Sequence, residues 1–212
     1  MKDTADMTVV VLASASPARL GTLRNAGIDP IVHVSDVDEE LLQEQNPQLS
    51  PKELAQLLAQ AKCEEVAVEY VKPDHLVIGC DSVFELNGQP YGKPETAEVA
   101  RERWRAMMNT TGTLHTGHYV IYTDASGAQQ TASATASTDV TLGELSDKEM
   151  DAYLASGEPF HVAGGFTLDA LGGAFVQEVH GDPSNVVGIS LPTVRHLVTS
   201  LGLTWTDLWN KK

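Results

Sequence analysis

VVVLASASPARLGTLRNAGI, residues 9–28, joins an apolar run to a segment with helical spacing through two serines and a proline. Val9 to Leu12 predict a buried strand, and the leucines that follow lie on one face of a helix. Ser16 is a good N-cap, Pro17 suits the first helical position, and Gly27 ends the helix. The stretch therefore predicts a strand, a tight turn and a helix in succession.

The joint between this strand and helix carries polar groups that suit an anion. The unpaired N–H groups at a helix start and the helix dipole attract negative charge. Ser14 and Ser16 lie at the joint, and Arg19 adds a positive fork one turn later. A purely structural alternative is that Ser16 only caps the helix and Arg19 is a solvated surface residue.

Composition narrows the class of protein. The chain has 212 residues, of which 42% are hydrophobic and 20% charged, which predicts one globular domain over residues 1–212 or a compact body with two lobes. Its formal net charge of −15 argues against nucleic acid as a partner, because no basic surface neutralises phosphates. A phosphate ligand would need local cations.

Targeting and metal signals are weak. The first fourteen residues hold one early lysine, acidic residues and a short apolar run, so we expect neither a signal peptide nor a membrane span, and a cytoplasmic location. Cys63 and Cys80 are the two cysteines and lack zinc spacing, which predicts buried thiols. His115 and His118 stand three apart in a predicted strand and should not share a face.

Further elements alternate between helices and strands. The clearest helix follows Ser50, with a capping box completed by Glu53 and an apolar face predicted at Leu54, Leu57, Leu58 and Ala61. "HLVIGCDSVFEL" predicts a buried strand that stops at Asp81 and Ser82 and then resumes. Asn87-Gly88 predicts a hairpin that delivers Lys93 back towards that strand pair.

The rest of the chain continues this mixture. Residues 96–109 predict a helix, residues 114–142 a long antiparallel ribbon, and residues 146–157 a second capping-box helix. A glycine-rich stretch, a loop and a last helix near Pro192 complete the chain. Such a mixture predicts an α/β protein with a mixed, elongated sheet and flanking helices.

Several stretches together resemble the Maf family of nucleoside triphosphate pyrophosphatases. They are "LASASPARL", "VDE" at 37–39, "LAQAK" ending at Lys62, "GCDS" at 79–82, "GKP" at 92–94, and "AGGFTLDALGG" with "NVVGISLP". They follow the family's order over almost the whole chain. The resemblance implies an inosine triphosphatase-like fold with two lobes around a central cleft, frequent homodimers, and hydrolysis of a nucleoside triphosphate to monophosphate and pyrophosphate.

The resemblance also assigns roles to residues. Ser14, Ser16 and Arg19 would hold the phosphates, and Lys62 and Lys93 would bring cationic ends to the triphosphate. The alternative is that these cations are solvated surface residues. In an acidic protein, three cations in one cleft would reverse the overall field locally.

Glu39 and Asp81 match the family's acidic pair, so the resemblance implies Mg²⁺ or Mn²⁺ shared between carboxylates and phosphate oxygens. Asp81 ends a predicted buried strand and is our candidate for the base that orients or deprotonates water; the sequence leaves open that it is only a metal ligand. Glu39 lies in the acidic run from Asp36 to Glu40, most of which we expect to be solvated.

The nucleobase is less constrained. Family members that prefer dTTP and UTP carry Arg, Thr and Gln where this chain has Ala18, Ser82 and Asp169, and those that prefer 7-methyl-GTP carry Trp, Gln and Glu. An ionised carboxylate accepts hydrogen bonds, and guanine offers two adjacent donors, so Asp169 favours a guanine-type or otherwise modified purine. The alternative is that Asp169 caps a turn and never meets the base.

Two other classes of function share some of these features. A sugar-phosphate nucleotidyltransferase also binds a triphosphate, but normally through a glycine-rich basic loop, and "ASASPAR" has no glycine. A non-catalytic nucleotide-binding regulator of cell division would fit the family's older label as a septum formation inhibitor. Release of pyrophosphate separates both from the main hypothesis.

Overall fold

A computed structural model describes residues 8–94 and 96–210, which form a seven-stranded mixed sheet with flanking helices. The spatial order is β2-β1-β3-β5-β6-β7, with β4 beside β3. β1 runs parallel to β2 and β3, and the other pairs are antiparallel. The strands are β1 (Val9–Ala13), β2 (Ile31–Val32), β3 (His75–Leu86), β4 (Gln89–Tyr91), β5 (Thr111–Thr123), β6 (Gln129–Leu142) and β7 (Val176–His180).

Seven α-helices pack around this sheet in the part of the chain just described. They are α1 (Pro17–Asn25), α2 (Glu39–Gln45), α3 (Pro51–Ala67), α4 (Ala97–Met107), α5 (Asp147–Ala155), α6 (Pro183–Val187) and α7 (Leu191–Ser200). Short 3₁₀ turns occupy much of the glycine-rich stretch between α5 and β7. The predicted α/β class with a mixed, elongated sheet is confirmed.

Two details of the sequence prediction were wrong. β3 does not stop at Asp81 and Ser82 but continues without interruption, because β5 pairs with it from His75 to Glu85. On α3, Leu57 and Ala61 are only partly buried. The buried face consists instead of Pro51, Leu54, Ala55, Leu58, Ala59, Lys62, Cys63, Val66 and Ala67.

Two glycines explain this choice of helix face. A Cβ at Gly79 would lie 2.3 Å from the carbonyl oxygen of Ala59, and a Cβ at Gly117 would lie 2.2 Å from that of Ala55. The backbone of α3 therefore lies directly on β3 and β5, with the small residues of the helix against the sheet. This close approach fixes where Lys62 can reach.

Two large apolar cores occupy the two ends of the long strands. One contains Leu76, Ile78 and Cys80 of β3 with residues of α1 and α7. The other contains Phe84 and Leu86 with residues of α4 and α5. The β3 residues between these cores include Asp81.

Several smaller expectations can also be compared with the structure. Cys63 and Cys80 are free and buried, as predicted. His115 contacts Glu85 and Ser137, whereas His118 accepts a hydrogen bond from the backbone of Ser190. The two histidines therefore contact different residues. None of the helices among the described residues is long and apolar enough to cross a membrane. The expectation that no signal peptide is present was made on the first fourteen residues, of which residues 1–7 lie outside the described residues, and it stays a prediction.

Candidate active site

The turn between β1 and α1 has the predicted geometry. Ser16 is the N-cap, its Oγ accepting from the backbone N–H of Arg19 at 3.4 Å, and Pro17 opens the helix. Ser14 is buried, and its Oγ accepts from the backbone N–H of Ser16 at 3.2 Å. The two serine side chains thus shape the start of α1, one from inside the turn and one at the cap.

Arg19 is buried, at 8% exposure, and ties four segments together. Its Nε donates to the carbonyl of Gly188 at 2.7 Å, and Nη1 donates to Ser14 Oγ at 3.0 Å and to the carbonyl of Cys80 at 2.8 Å. Nη2 donates to Ser82 Oγ at 3.0 Å. The alternative of a solvated Arg19 was therefore wrong. Within residues 8–94 and 96–210, four of its five N–H groups are bonded to the protein, which leaves one Nη2 hydrogen for a ligand.

The sheet has a gap beside β3. β1 leaves β3 after Ala13 pairs with Gly79, and β4 joins the same edge where Phe84 pairs with Tyr91. Between these points the described part of the chain pairs with β3 only on its β5 side, and Arg19 bonds the carbonyl of Cys80 in place of a strand. The Ser14–Ser16 turn lies at one end of the gap, and the chain leaves β4 towards Lys93 at the other.

A charge cluster of three residues, one each from α2, α3 and β3, lies at this gap. Lys62 Nζ is 2.5 Å from Asp81 Oδ1 and 2.7 Å from Glu39 Oε1. The side chains of Lys62 and Asp81 are each 10% exposed, whereas that of Glu39 is 45% exposed. Lys62 is therefore not the solvated lysine of the alternative hypothesis, because it bridges both predicted carboxylates.

The electrostatics of Asp81 suit proton transfer. Burial raises the pKa of its carboxyl above the ordinary value, while Lys62 and Arg19 oppose the rise and Glu39 adds to it. A carboxylate with a raised pKa accepts a proton more readily near neutral pH than an exposed one does.

The rest of the acidic run is solvated as expected, since Asp36, Asp38 and Glu40 are exposed.

Ser82 belongs to a chain of hydroxyls behind Arg19. Its Oγ lies 2.9 Å from Thr116 Oγ1, which donates to the carbonyl of Asn185 at 3.3 Å. Because that carbonyl can only accept, the Ser82 hydroxyl donates to Thr116 and accepts from Arg19. This position holds Arg19 in place.

A groove beside α1 brings two of the three predicted base-reading residues together. It has a volume of about 490 Å³ and Ala18 and Asp169 are among its lining residues, but Ser82 is not. Asp169 is exposed and does not cap the following 3₁₀ turn, whose cap residue Ala170 makes no side-chain capping bond. A capping bond from Asp169 is therefore not seen among the described residues, and contact with a base stays a prediction.

Lys93 is exposed and makes no hydrogen bond or ion pair within residues 8–94 and 96–210. Its role in binding the triphosphate also stays a prediction.

Sequence reasoning missed three residues of this site. Gly188 supplies the carbonyl that receives Arg19 Nε, and a Cβ there would lie 3.3 Å from that nitrogen. Asn185 is fully buried and donates to Leu114 and Thr138, which anchors α6 to the sheet. Thr116 lies in "HTGH", residues 115–118, of which only the two histidines were considered from the sequence. The stretch "NVVGISLP" signalled a family motif, but nothing in it showed that its glycine faces an arginine 169 residues earlier.

Known proteins resemble this chain along most of its length. The family model for Maf-like proteins matches residues 9–201. A relative from Streptomyces avermitilis, named nucleoside triphosphate pyrophosphatase, is 53% identical over 96% of this chain and 95% of its own length. One of the same name from Leifsonia xyli subsp. xyli is 50% identical over 94% of this chain and 96% of its own.

A third relative extends the comparison. The nucleoside triphosphate pyrophosphatase of Thermosynechococcus vestitus is 48% identical over 97% of this chain and its own full length. The matched family model covers both the Ser14–Arg19 turn and the Lys62, Asp81 and Glu39 cluster. With a family match over most of its length and relatives of about half-identical sequence, this chain belongs to the Maf-like protein family.

Proposed function

We propose that this protein hydrolyses the α–β phosphoanhydride of a nucleoside triphosphate, releasing a monophosphate and pyrophosphate. The observation that carries the proposal is the Lys62 bridge between Asp81 and Glu39 at the gap in the sheet. The names of relatives at about 50% identity over nearly the whole chain support the same reaction.

The reaction needs a water in line with the α phosphorus and the pyrophosphate leaving group. Asp81 would accept a proton from that water, since its raised pKa favours the protonated product. Lys62 fixes the orientation of Asp81 at 2.5 Å. The α1 N-terminus, the remaining N–H of Arg19 and the ammonium of Lys93 would neutralise charge on the phosphates.

A divalent cation fits this donor set. Two carboxylates and one ammonium leave the cluster with a formal charge of −1, and carboxylate oxygens are the ligands that Mg²⁺ and Mn²⁺ prefer. Among the described residues no group of three or more His, Cys, Asp or Glu could hold a metal alone. Asp81 and Glu39 would therefore hold it together with phosphate oxygens, where it supplies positive charge.

The groove between α1 and the 168–169 loop would take the nucleobase. Ala18 is small and leaves room for a purine, and the Asp169 carboxylate would accept hydrogen bonds from guanine N1–H and the 2-amino group. Uracil and thymine present one donor flanked by two carbonyl oxygens, which a carboxylate repels. We therefore propose a guanine-type or modified purine triphosphate as substrate.

The wider setting follows from this reaction and from the family. A cytoplasmic location fits a nucleotide substrate, and a net charge of −15 disfavours nucleic acid. A homodimer is implied by the family resemblance, and light scattering after size-exclusion chromatography would give the mass in solution.

The test of the reaction is a product assay. The protein is incubated with each nucleoside triphosphate and Mg²⁺ or Mn²⁺, and pyrophosphate and orthophosphate are measured separately. We expect pyrophosphate together with the nucleoside monophosphate. Orthophosphate release, or dependence on a sugar phosphate, would contradict the proposal, and tight binding without product would favour a non-catalytic regulator.

A further inference from the structure

Glu158 lies outside the charge cluster, and its carboxylate accepts hydrogen bonds from both ends of a short loop. Its Oε1 accepts from Tyr153 Oη at 3.0 Å, from Thr167 Oγ1 at 2.5 Å and from the backbone N–H of Gly172 at 2.9 Å. Its Oε2 accepts from the backbone N–H of Leu171 at 3.1 Å. One side chain therefore satisfies four donors.

Three of these donors flank the segment that enters the groove. Thr167 comes just before Leu168 and Asp169, and Leu171 and Gly172 come just after them. Leu168 and Asp169 line the groove together with Ala18. The carboxylate thus holds both ends of the short segment that presents Asp169.

The loop is built around this contact. A Cβ at Gly172 would lie 2.4 Å from Tyr153 Oη, and a Cβ at Gly173 would lie 2.4 Å from the carbonyl oxygen of Leu168. The fourth donor, Tyr153, is buried and packs edge-on against Trp104 and Phe175 in the core beside α4 and α5. The segment is therefore anchored to that core, whereas α1, which also lines the groove, packs in the other core.

The Glu158 carboxylate, which we call the clamp because it holds both ends of the 167–172 loop, is ionised at neutral pH. Burial acts to raise the pKa of Glu158, but the hydrogen bonds from Thr167, Gly172 and Leu171 outweigh it, and the pKa lies below its ordinary value. An ionised carboxylate offers only acceptors, which matches a ring of four donors. Asp169, in contrast, makes no hydrogen bond within residues 8–94 and 96–210, so the loop and not a partner of its own fixes where it lies.

We propose that Glu158 is a specificity-determining positioning residue, which holds the 167–172 loop so that Asp169 faces the nucleobase groove. This inference rests on the proposed function, because it assumes that the groove receives the base. It separates two tasks: the Lys62, Asp81 and Glu39 cluster acts on the triphosphate, while Glu158 sets the choice of base. Loss of the clamp should therefore raise KM for the favoured nucleotide and leave kcat nearly unchanged.

The experiment measures kcat and KM for GTP, 7-methyl-GTP, UTP and dTTP, and takes the ratio of the highest to the lowest kcat/KM as the discrimination. Glu158→Gln leaves at least one donor facing an amide N–H₂, and Glu158→Asp keeps the charge but shortens the reach. We expect both to reduce the discrimination about tenfold or more through KM, since small displacements of a positioning group have effects of this order. Asp124→Asn is the matched control, because Asp124 accepts three hydrogen bonds in the β5–β6 turn and does not line the groove.

A double variant tests whether Glu158 acts through Asp169. In the Asp169→Ala background, Glu158→Gln should cause no further loss of discrimination. A further loss there, or unchanged discrimination in folded Glu158→Gln and Glu158→Asp, would overturn the inference. Should Glu158→Gln fail to fold, Thr167→Val removes one donor of the four and must show the same direction of change. Wild-type turnover with a preference for UTP would contradict the proposed base alone, whereas a wild type that releases no pyrophosphate would contradict the proposed reaction and this inference together.

Discussion

Lys62 is the residue on which the charge cluster depends. It lies on α3, Asp81 lies on β3 and Glu39 opens α2, so three elements place charged groups around one ammonium. Removing one partner of a buried ion pair leaves an uncompensated charge and is costly. The ammonium of Lys62 therefore orients Asp81, the proposed general base, and offsets the cost of burying its carboxylate.

Asp81→Asn should abolish most of the turnover. The change keeps the shape of the side chain but removes the charge and the ability to accept a proton, and losing such a group costs a factor of about 10² to 10⁴ in rate. Steady-state pyrophosphate release measures the effect, and circular dichroism checks the fold. Asp36→Asn, an exposed member of the acidic run, is the control. Near-normal turnover of Asp81→Asn would show that another group is the base.

Lys62→Met should shift the pH profile. The positive charge of Lys62 lowers the pKa of Asp81, so its removal lets burial raise that pKa further. The active form carries ionised Asp81, and the acidic limb of kcat/KM against pH should therefore move to higher pH. Lys52→Met, an exposed lysine on the same helix, should leave the limb where it is. A shift to lower pH in Lys62→Met would contradict the assignment.

Asp169→Gln should change the ranking of nucleotides. A glutamine both donates and accepts, so it no longer selects for the donor pair of guanine and no longer repels the uracil carbonyls. We expect kcat/KM for GTP to fall relative to that for UTP by about 10-fold to 10³-fold, below the limit for fully buried unpaired groups. Asp147→Asn, an exposed acid at the start of α5, is the control. An unchanged ranking would show that Asp169 does not read the base.

At the scale of elements, the sequence predicted the presence of most helices, but it predicted less well which face of each helix is buried. The capping box of Ser50 and Glu53 identified α3, because caps are local chemistry. Its buried face was predicted only in part, at Leu54 and Leu58, because the rest of that face is set by Gly79 and Gly117 on strands distant in sequence. α2 was missed for a related reason: none of its residues is buried, so it carries no apolar periodicity.

Gly79→Ala should disturb the site through α3. The added Cβ would lie 2.3 Å from the carbonyl oxygen of Ala59 and 2.6 Å from Cys63 Cβ, so the helix must move away from β3. Overpacking of this kind lowers the free energy of unfolding by about 1–3 kcal/mol. Turnover should fall as well, because Lys62 is carried by the same helix. Gly92→Ala, where nothing lies within 4 Å of the new Cβ, is the control for stability in urea unfolding. Equal stability of the two variants would contradict the packing argument.

At the scale of the whole molecule, the site lies where the two cores and the gap in the sheet meet. The family motifs identified the candidate residues Ser14, Arg19, Lys62 and Asp81, but their sequence positions did not show that Arg19 bonds Cys80 in the gap. Strand register is a long-range property, and it decides which backbone groups are left open beside β3. The arrangement of the site thus depends on pairings that no single motif contains.

The pH dependence of stability should reflect His118, the more deeply buried of the two buried histidines among the described residues. His118 is fully buried, and its Nε2 accepts from the backbone N–H of Ser190 at 2.9 Å. Burial, reinforced by the charge of Arg19, lowers its pKa to about 4 from an ordinary value of 6.5. The unfolded chain therefore binds a proton at a higher pH than the folded protein does. The stabilisation is fully present above pH 6.5 and is lost as the pH falls towards 4, to a total of about 3 kcal/mol at about 1.4 kcal/mol per pH unit.

His118→Gln isolates this contribution, because the glutamine oxygen can replace Nε2 as an acceptor but takes up no proton in this range. Urea unfolding is measured at several values between pH 7 and pH 4 for both proteins. Protonation of the many carboxylates affects both proteins alike, so the difference in their free energies of unfolding reports His118. We expect that difference to move by about 3 kcal/mol in favour of the variant as the pH falls. His161→Gln, which changes an exposed histidine, should follow the wild type, and a difference that stays constant across the range would show that His118 is not kept neutral by the fold.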